Sequence, residues 1–593
     1  MKKISFAILL LTIILSPFQS LSQNFTWVKS TGGTTGELGE TSVITDIQGN
    51  IITVGSFKGT VDFDPGSGSS NLTSTANSYD IFVQKLTVNG VFIWAKQFGG
   101  AYPDNATAVD VGKTGNIYFT GKISYSTPST SSEVSVSKLD ASGNAIWTKS
   151  LSTAFAGTND TGKDIKIDSL ENVYVTGEFD YKLSFDAFNI TPSRSSEIFI
   201  AKLNASGIGV WAKTLRCNKQ YNYNNAHSIG LDSLYNVYIA GNYNGIIDFD
   251  PGASVHNDTS VSLSTSSPFN SFILKLNNAG NYIWSKSLHS GKNEGSTLNS
   301  MYVTKSGDVI ATGTFTDSID IDPSSSNFYL AVNNSFTSFS NWGENGFIVK
   351  LNTAGNFIFG KQLYDFINFY SNANPNKIIV DKSNNIVIVG YFKDTVDFDY
   401  SNNTPYLISY NLKNSPTYTS YDLFILKLNP LGDFSSVKQL RSNNANSYLS
   451  GGIFADIIAD NIGNLYITCN YKGSVDFDPS SSTYNLSSQS TSGKDCFLLK
   501  LDNSPFTSIA EQMIEKPTSV VYPNPTNNGI ITIENQENIS NVYITDVLGQ
   551  LIYKQQINQH KSEIDISFLP NGLYLLDVVL ETKEVKTIKI IKQ

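Results

Sequence analysis

Residues 115–121 read Gly-Asn-Ile-Tyr-Phe-Thr-Gly, and this pattern of a turn followed by apolar and aromatic residues returns along most of the chain. Its copies lie at residues 49–55, 115–121, 172–177, 236–241, 307–313, 385–390 and 463–469. Gly-Asn supplies the positive φ angles of tight hairpin turns, and the β-branched and aromatic residues that follow favour a strand. A unit that recurs in this way predicts a repeat architecture.

A second part of the unit is a strand-like run that ends in Lys-Leu. These ends lie at residues 85–86, 138–139, 202–203, 275–276, 350–351, 427–428 and 500–501. Most are followed by a Gly-Asn or Asn-Gly turn and then a Trp-x-Lys strand, as at Trp94 and Lys96. Phe359 replaces the Trp in the fifth copy and Ser436 replaces it in the sixth. Both parts of the unit therefore occur seven times.

Each unit contains four strand-like runs separated by Gly, Asn, Asp and Ser turns. Four short strands cannot bury both faces of their sheet alone, whereas similar sheets stacked face to face can. We therefore expect an all-β chain whose main domain is a seven-bladed β-propeller. The first strand of each unit, such as residues 107–110 or 164–168, is expected nearest the central channel. The Trp-x-Lys strand is expected to be outermost.

The two ends of the repeat region complement each other. The seventh unit stops at Leu501 without a Trp-x-Lys strand, and an orphan copy of that strand, with Trp27 and Lys29, begins at Phe25. We expect the N-terminal strand to complete the last blade, because ring closure removes the exposed strand edges that promote aggregation.

The repeats resemble the bacterial extracellular β-propeller repeats called SBBP repeats, over roughly residues 24–505. The resemblance implies the propeller fold. It implies little about function, because such propellers have many roles.

The composition and the N-terminus indicate an exported protein. The net charge of −10 disfavours a nucleic-acid partner. Lys2, Lys3 and the apolar run 4–15, followed by a small-residue site at residues 20–22, predict a signal peptide over residues 1–22. No later run has the length and apolarity of a transmembrane helix. We expect the propeller over residues 24–502, a linker over 503–518 and a C-terminal domain over 519–593.

The C-terminal domain has its own pattern of alternating strands and turns, which predicts a small antiparallel β-sandwich. It resembles the type A sorting domain of the Bacteroidetes type IX secretion system. The residues that carry the resemblance are Pro523, Asn524, Pro525, Asp546, Gly549, Gly572 and Tyr574. The resemblance implies passage across the outer membrane by the type IX machinery, removal of this domain, and release or attachment to surface lipopolysaccharide. An ordinary terminal immunoglobulin-like module is the alternative.

A recurring Asp-aromatic-Asp-Pro motif, as at residues 62–65, 248–251 and 476–479, has two interpretations. Alternate residues of a strand share a face, so the two carboxylates could bind Ca²⁺. The other interpretation is a strand end followed by an Asx turn, with the aromatic residue packed between blades. We favour the second because the motif repeats in most blades. No cofactor is therefore predicted, and Ca²⁺ stays an alternative.

The three cysteines are expected to be small buried apolar residues. Cys469 and Cys496 lie on neighbouring strands of one unit. A disulfide between them is the alternative, if their Cα atoms lie within about 7 Å.

No catalytic signature is present: the four His residues lack metal-ligand spacing, and neither a nucleophile elbow nor a phosphate loop occurs. His227, at the start of an inner strand, is expected to be structural. Binding is expected from variable loops such as residues 221–225 and 406–421. We expect a secreted or surface-attached, non-catalytic propeller that binds a glycan or a protein. A polysaccharide hydrolase or lyase and a Ca²⁺-stiffened structural adhesin are the alternatives.

Overall fold

The computed structural model describes the chain from Asn24 onward, with gaps. The described residues are 24–34, 36–124, 131–153, 155, 158–192, 196–217, 224–259, 269–291, 295–316, 318–324, 326–331, 344–363, 365–366, 372–399, 406–409, 421–443, 447–449, 455–490, 493–502, 520–546, 550–581 and 585–593. The predicted signal peptide and the predicted linker over 503–518 lie outside these residues. The chain divides into two compact units, Met1–Ser508 and Ile509–Gln593.

The first unit is all-β and built from similar antiparallel sheets. Seven sheets with a common four-strand core occur among the described residues, and we number them by their first, or inner, strand. Their strands are: sheet 1, Glu37–Thr45, Ile51–Lys58, Asp80–Leu86 and Phe92–Phe98; sheet 2, Asn105–Val111, Ile117–Ile123, Glu133–Leu139 and Ala145–Ser150; sheet 3, Thr161–Ile167, Val173–Phe179, Glu197–Leu203 and Gly209–Cys217; sheet 4, Asn225–Leu231, Val237–Tyr243, Asn270–Leu276 and Tyr282–Ser290; sheet 5, Ser296–Val303, Val309–Phe315, Asn345–Leu351 and Phe357–Gln362; sheet 6, Asn372–Val380, Ile386–Lys393, Asp422–Leu428 and Phe434–Ser442; sheet 7, Tyr448–Leu449 with Asp456–Ala459, then Leu465–Lys472, Asp495–Leu501 and Phe25–Thr31.

The glycine that ends the repeated pattern makes room for a bulge in the inner strand. A methyl group on Gly241 would lie 1.9 Å from the carbonyl oxygen of Asn225 on the opposite strand. The register shifts there between Ala226 and Ser228, so His227 is the extra residue of the bulge. The same close approach occurs in sheets 1, 2, 3, 5 and 6, whereas sheet 7 has Cys469 at this position. Glycine therefore recurs because only a residue without a Cβ fits against the bulged backbone.

The inner strands contact one another in chain order, from sheet 1 to sheet 7, and the inner strand of sheet 7 contacts that of sheet 1. Polar side chains join neighbouring sheets here. The Asp456 carboxylate of sheet 7 accepts hydrogen bonds from Ser42 Oγ at 2.7 Å and the Val43 N–H at 3.0 Å in sheet 1. Asp164 of sheet 3 accepts one from the Ile229 N–H of sheet 4 at 2.9 Å. Buried carboxylates therefore join sheets through backbone donors.

The N-terminal strand completes sheet 7, as the sequence predicts. Phe25–Thr31 pairs antiparallel with Asp495–Leu501, and Trp27 lies opposite Lys500. The Trp27 ring also packs over Gly90 in a hairpin of sheet 1, where a methyl group would lie 3.3 Å from the ring. The prediction that strands from both ends of the repeat region share one sheet is confirmed.

The same packing explains why the sixth repeat has no Trp. In the other sheets the aromatic side chain covers a hairpin glycine of the next sheet, as Trp211 covers Gly280. Sheet 7 has no such hairpin, because its last two strands come from opposite ends of the repeat region. Asn24 and Asp502 replace it by exchanging two hydrogen bonds of 2.9 and 3.0 Å. Ser436 of sheet 6 therefore has no hairpin glycine to cover.

Short hairpins add to this plan and correct one prediction. The hairpin Ile246–Asp248 with Asn257–Thr259 pairs with the end of the Trp-x-Lys strand of the preceding repeat, so this strand is not always outermost. Further hairpins are Thr60–Asp62 with Asn71–Thr73, Leu183–Phe185 with Phe188–Ile190, Ser318–Asp320 with Tyr329–Ala331, Thr395–Asp397 with Tyr406–Ile408, and Ser474–Asp476 with Asn485–Ser487. The short strand Asp365–Phe366 pairs with Thr395–Asp397. Thr75–Asn77 forms a 3₁₀ turn. Main-chain pairing through these short hairpins thus joins successive repeats, and we call them clasp hairpins.

The second unit is also antiparallel. Its strands Val520–Tyr522, Ile530–Thr545, Leu551–Asp565, Gly572–Leu580 and Val585–Lys592 are joined by hydrogen bonds into one sheet. Ile531 and Ile533, near the start of the long second strand, share one apolar core with Val542 and Ile544 near its end. The interior of this unit is almost entirely aliphatic.

Candidate functional site

The polar residue after the repeated glycine differs from sheet to sheet. In sheets 1 to 7, in order, the position holds Ser56, Lys122, Glu178, Asn242, Thr314, Tyr391 and Asn470. In sheets 2 to 6 these residues lie directly opposite the inner-strand residues Asn105, Thr161, Asn225, Thr297 and Asn374. We give the name polar rim to both of these sets of residues together with Glu40, Lys163 and His227, which lie at the bulges. Because neighbouring inner strands contact one another, equivalent positions on neighbouring sheets lie at the same end of these strands.

The rim on sheets 1 and 2 borders a cleft of about 300 Å³. Glu40, Tyr79, Asp104, Lys122 and Asn105 line it together with other polar residues. Burial raises the pKa of Glu40, although Asn105 donates a hydrogen bond to its carboxylate at 3.2 Å. Burial likewise raises the pKa of Asp104 to about 6 and lowers that of Lys122. The cleft therefore holds ionisable groups of both signs in surroundings that disfavour charge.

His227 lies beside a charged pair on sheets 3 and 4. Its Nε2 is 2.6 Å from Asn242 Oδ1. Burial and the nearby Lys163 ammonium lower the pKa of His227 to about 4. Lys163 Nζ lies 3.4 Å from Glu178, and burial raises the pKa of that carboxyl. His227 is thus a neutral, hydrogen-bonded residue of the rim near pH 7. Its structural role stays a prediction.

An aromatic pair lies on the sheet 6 side of the rim. The rings of Tyr391 and Tyr421 are 5.1 Å apart between centroids and meet edge to face at 79°. Asn374, opposite Tyr391, donates a hydrogen bond to Glu344 at 3.1 Å. Burial and the nearby Glu344 raise the pKa of Tyr391 to about 12, so its hydroxyl stays protonated. This part of the rim combines aromatic surface with amide and carboxylate groups.

The carboxylates of the Asp-aromatic-Asp-Pro motif bind their own backbone. Asp62 Oδ1 accepts hydrogen bonds from the N–H groups of Asp64 and Ser70, at 3.0 and 2.8 Å. Phe63 between the two carboxylates is fully buried. Asp248 and Asp476 repeat this arrangement. Within the described parts of the chain, no group of three or more His, Cys, Asp or Glu side chains is placed to hold a metal ion. The motif therefore acts as a turn that anchors a clasp hairpin.

The cysteines are free and buried. Cys469 lies opposite Phe497, whereas Cys496 lies opposite Asn470, so strand alternation directs the two thiols to opposite faces of sheet 7. Cys496 Sγ is 3.1 Å from Thr468 Oγ1. The alternative of a disulfide between Cys469 and Cys496 is wrong, because the strand register separates them.

Three of the predicted sorting residues make hydrogen bonds that hold either the edge strand or a turn of the C-terminal sheet. Asn524, between Pro523 and Pro525, donates to the Lys589 carbonyl at 2.7 Å and accepts from the Ile591 N–H at 2.9 Å. Tyr574, two residues after Gly572, donates its hydroxyl proton to the Pro570 carbonyl at 2.8 Å. Asp546 accepts a hydrogen bond from the Gln550 N–H at 2.9 Å. Gly549 lies outside the described residues. A role of these residues in sorting stays a prediction.

The variable loops 221–225 and 406–421 are the expected binding surface, and most of their residues lie outside the described part of the chain. Residues 221–223 and 410–420 lie outside the described residues, so that prediction also stays open to test. Sequence reasoning missed the polar rim. The signal that would have found it is the position after the repeated glycine, which varies among polar residue types while its neighbours are kept.

Comparison with protein families identifies the C-terminal unit. Residues 520–593 match the family described as Secretion system C-terminal sorting domain. The prediction of a type IX sorting domain is confirmed, and such a domain implies export to the outside of the cell or to its surface. No helix within the described residues has the length and apolarity needed to cross a membrane.

A distant relative of this chain is found among curated proteins. An uncharacterized WD repeat-containing protein of Acanthamoeba polyphaga mimivirus is 22% identical over 459 residues, which cover 64% of this chain. The match spans only 32% of the length of that relative.

Similar solved structures have low sequence identity. PorZ, a surface component of the type IX secretion system of Porphyromonas gingivalis, is 13% identical with a TM-score of 0.18, covering 94% of this chain and 74% of its own. A polysaccharide lyase of family PL25, an ulvan lyase, is 11% identical with a TM-score of 0.37, covering 74% and 92%. At these TM-scores neither structure supports an argument about this chain.

Proposed function

We propose that the chain is a secreted or surface-attached seven-bladed β-propeller that binds a glycan or protein ligand at its polar rim, without catalysis. The C-terminal sheet, in this proposal, folds on itself into a small sandwich that delivers the propeller to the type IX machinery. The shared core of Ile531 and Ile544, from opposite ends of one long strand, supports such a fold.

The cyclic contacts of the inner strands support a closed ring of seven blades. Two independent contacts join the last sheet to the first. The Asp456 carboxylate binds the inner strand of sheet 1, and the Trp27 ring covers Gly90. An open stack would leave both groups without their partners.

The observation that carries the binding proposal is the change of residue type at the rim. Core positions repeat in every sheet, whereas the rim has acidic, basic, amide, hydroxyl and aromatic side chains at equivalent positions. A repeated scaffold needs no such variation for its own stability, and non-repeated polar groups on a rigid frame are typical of a recognition surface. Several rim groups bind one another, as His227 binds Asn242, so the surface is preorganised.

The experiment is a binding screen of the mature chain against immobilised glycans and extracellular-matrix proteins. Rim variants Glu40→Ala, Lys163→Ala and Tyr391→Ala are compared with Tyr329→Ala, an exposed tyrosine on a clasp hairpin. We expect binding that the rim variants weaken and the control keeps. Equal binding by all four variants would contradict the proposal.

An enzyme acting on polysaccharide is the second candidate, because the cleft holds Asp104, with its pKa raised to about 6, near Tyr79 and Lys122. The binding function is preferred, since both Asp104 oxygens accept backbone hydrogen bonds, from Ser124 and Gly100, at 2.8 Å. Release of reducing ends or unsaturated products, abolished by Asp104→Asn in a stably folded variant, would establish the enzyme instead.

A further inference from the structure

The aromatic part of the rim occurs once. The position after the repeated glycine is Tyr391 in sheet 6 and is not aromatic in the other six sheets. Its partner ring, Tyr421, immediately precedes the third strand of the same sheet. Both rings are partly exposed, and neither hydroxyl has a hydrogen-bond partner within the described residues. The pair therefore offers ring edges and free hydroxyl groups to a ligand.

A row of amide and carboxylate groups continues from these rings. Asn299 Nδ2 donates to Asn374 Oδ1 at 2.9 Å and to the Pro375 carbonyl at 2.8 Å. Asn374 Nδ2 donates in turn to Glu344 Oε2 at 3.1 Å. Each donor in this row fixes the orientation of the next acceptor, so the hydrogen bond from Asn374 restrains the Glu344 carboxylate.

These groups match the chemistry of a sugar. Carboxylate and amide oxygens accept protons from hydroxyl groups, and tyrosine hydroxyls both donate and accept. The apolar C–H face of a pyranose ring packs on aromatic surface, which is large and rigid. A peptide surface would instead favour a deeper apolar pocket at the centre of the contact, whereas this part of the rim is formed mainly by polar and amphipathic side chains.

The charge of the chain narrows the class of sugar that could bind here. The negative charge of Glu344 is near enough to raise the pKa of both tyrosines, and the whole chain has a net charge of −10. Like charge opposes the approach of uronic-acid or sulfated polymers. Building on the proposed binding function, we propose that Tyr391, Tyr421, Glu344 and Asn374 form a subsite for a neutral or amino sugar of a glycan.

The test uses the mature full chain and three probes: laminarin as a neutral glycan, chitosan oligosaccharides as a cationic one, and polygalacturonate as an anionic one. We expect the neutral or the cationic probe to bind and the anionic probe to bind at least about tenfold more weakly. Tyr391→Ala and Tyr421→Ala should each weaken binding by about tenfold, the size expected for loss of one aromatic contact worth about 1.4 kcal/mol. Tyr329→Ala, outside the rim, should bind as the unmodified chain does.

Melting temperatures show whether each variant is folded. Glu344→Gln is a further variant, which removes the carboxylate charge and leaves both tyrosine rings in place. Preference for polygalacturonate, or glycan binding unchanged in both Tyr391→Ala and Glu344→Gln, would overturn the subsite. Binding of a matrix protein but of no glycan would also overturn it while leaving the proposed function intact. Absence of any rim-dependent binding would refute the proposed function itself.

Discussion

Gly241→Ala tests why glycine recurs in the repeat. The added methyl group would lie 1.9 Å from the Asn225 carbonyl oxygen and 3.0 Å from Ala226 Cα, both backbone atoms of the bulged strand. The carbonyl must retreat by about 1.5 Å to reach an ordinary contact, which disturbs the bulge that presents His227. Overpacking of this kind costs about 1–3 kcal/mol. We therefore expect the unfolding free energy to fall by that amount and the urea midpoint to fall with it.

Gly100→Ala is the matched control, because a methyl group on Gly100 would have no heavy atom within 4 Å. We expect its urea midpoint to differ little from that of the unmodified chain. The assay is urea unfolding followed by tryptophan fluorescence and far-ultraviolet circular dichroism. Equal midpoints for the two alanine variants would refute the steric explanation of the repeat.

Three further results are expected. Chelation with EDTA should leave the melting temperature unchanged, because motif carboxylates such as Asp62 are bound to backbone N–H groups; a fall of several degrees would instead support Ca²⁺-stiffened blades. Trp211→Ala should destabilise the chain by about 3 kcal/mol, since that ring is buried over Gly280, whereas Ser436→Ala should be close to neutral; similar losses would contradict the packing explanation. His227→Asn should flatten the fall in unfolding free energy between about pH 6.5 and pH 4, because a folded pKa of about 4 means that the unfolded state takes up the proton first. Identical pH profiles in thermal unfolding would argue against a neutral His227 in the folded chain.

The repeat fold could be predicted from the sequence because its signals are local and occur seven times. The Gly-Asn turns and the Lys-Leu ends indicate where the strands lie. The orphan strand at Trp27 predicts that the two ends of the repeat region pair, as they do. The Asp-aromatic-Asp-Pro motif marked the strand end and the turn of several clasp hairpins, but their pairing with the preceding repeat was missed. The pairing of Arg216 with Asp248 uses main-chain groups, which leave no mark in side-chain patterns.

The candidate site was harder to predict, because it lies where the repeats differ. A search for catalytic motifs finds nothing at Lys122, Glu178 or Tyr391, which come from separate strands far apart in the sequence. Only the contacts between successive inner strands bring these positions to the same end of the sheets. Aligning the repeats and asking which position varies would have indicated the rim, although not the partners that each side chain binds there.

Pairing of Phe25–Thr31 with Asp495–Leu501 is most directly tested by a disulfide between opposed residues. Lys29 lies opposite Leu498, and residues opposed in an antiparallel pair have Cα atoms about 4.5–5.5 Å apart, within the range of a disulfide. In a chain carrying Lys29→Cys and Leu498→Cys, non-reducing peptide mass spectrometry should find these two positions linked within a single monomer. Reduced thiols after oxidation, or links only between different chains, would contradict a ring closed by its own N-terminal strand.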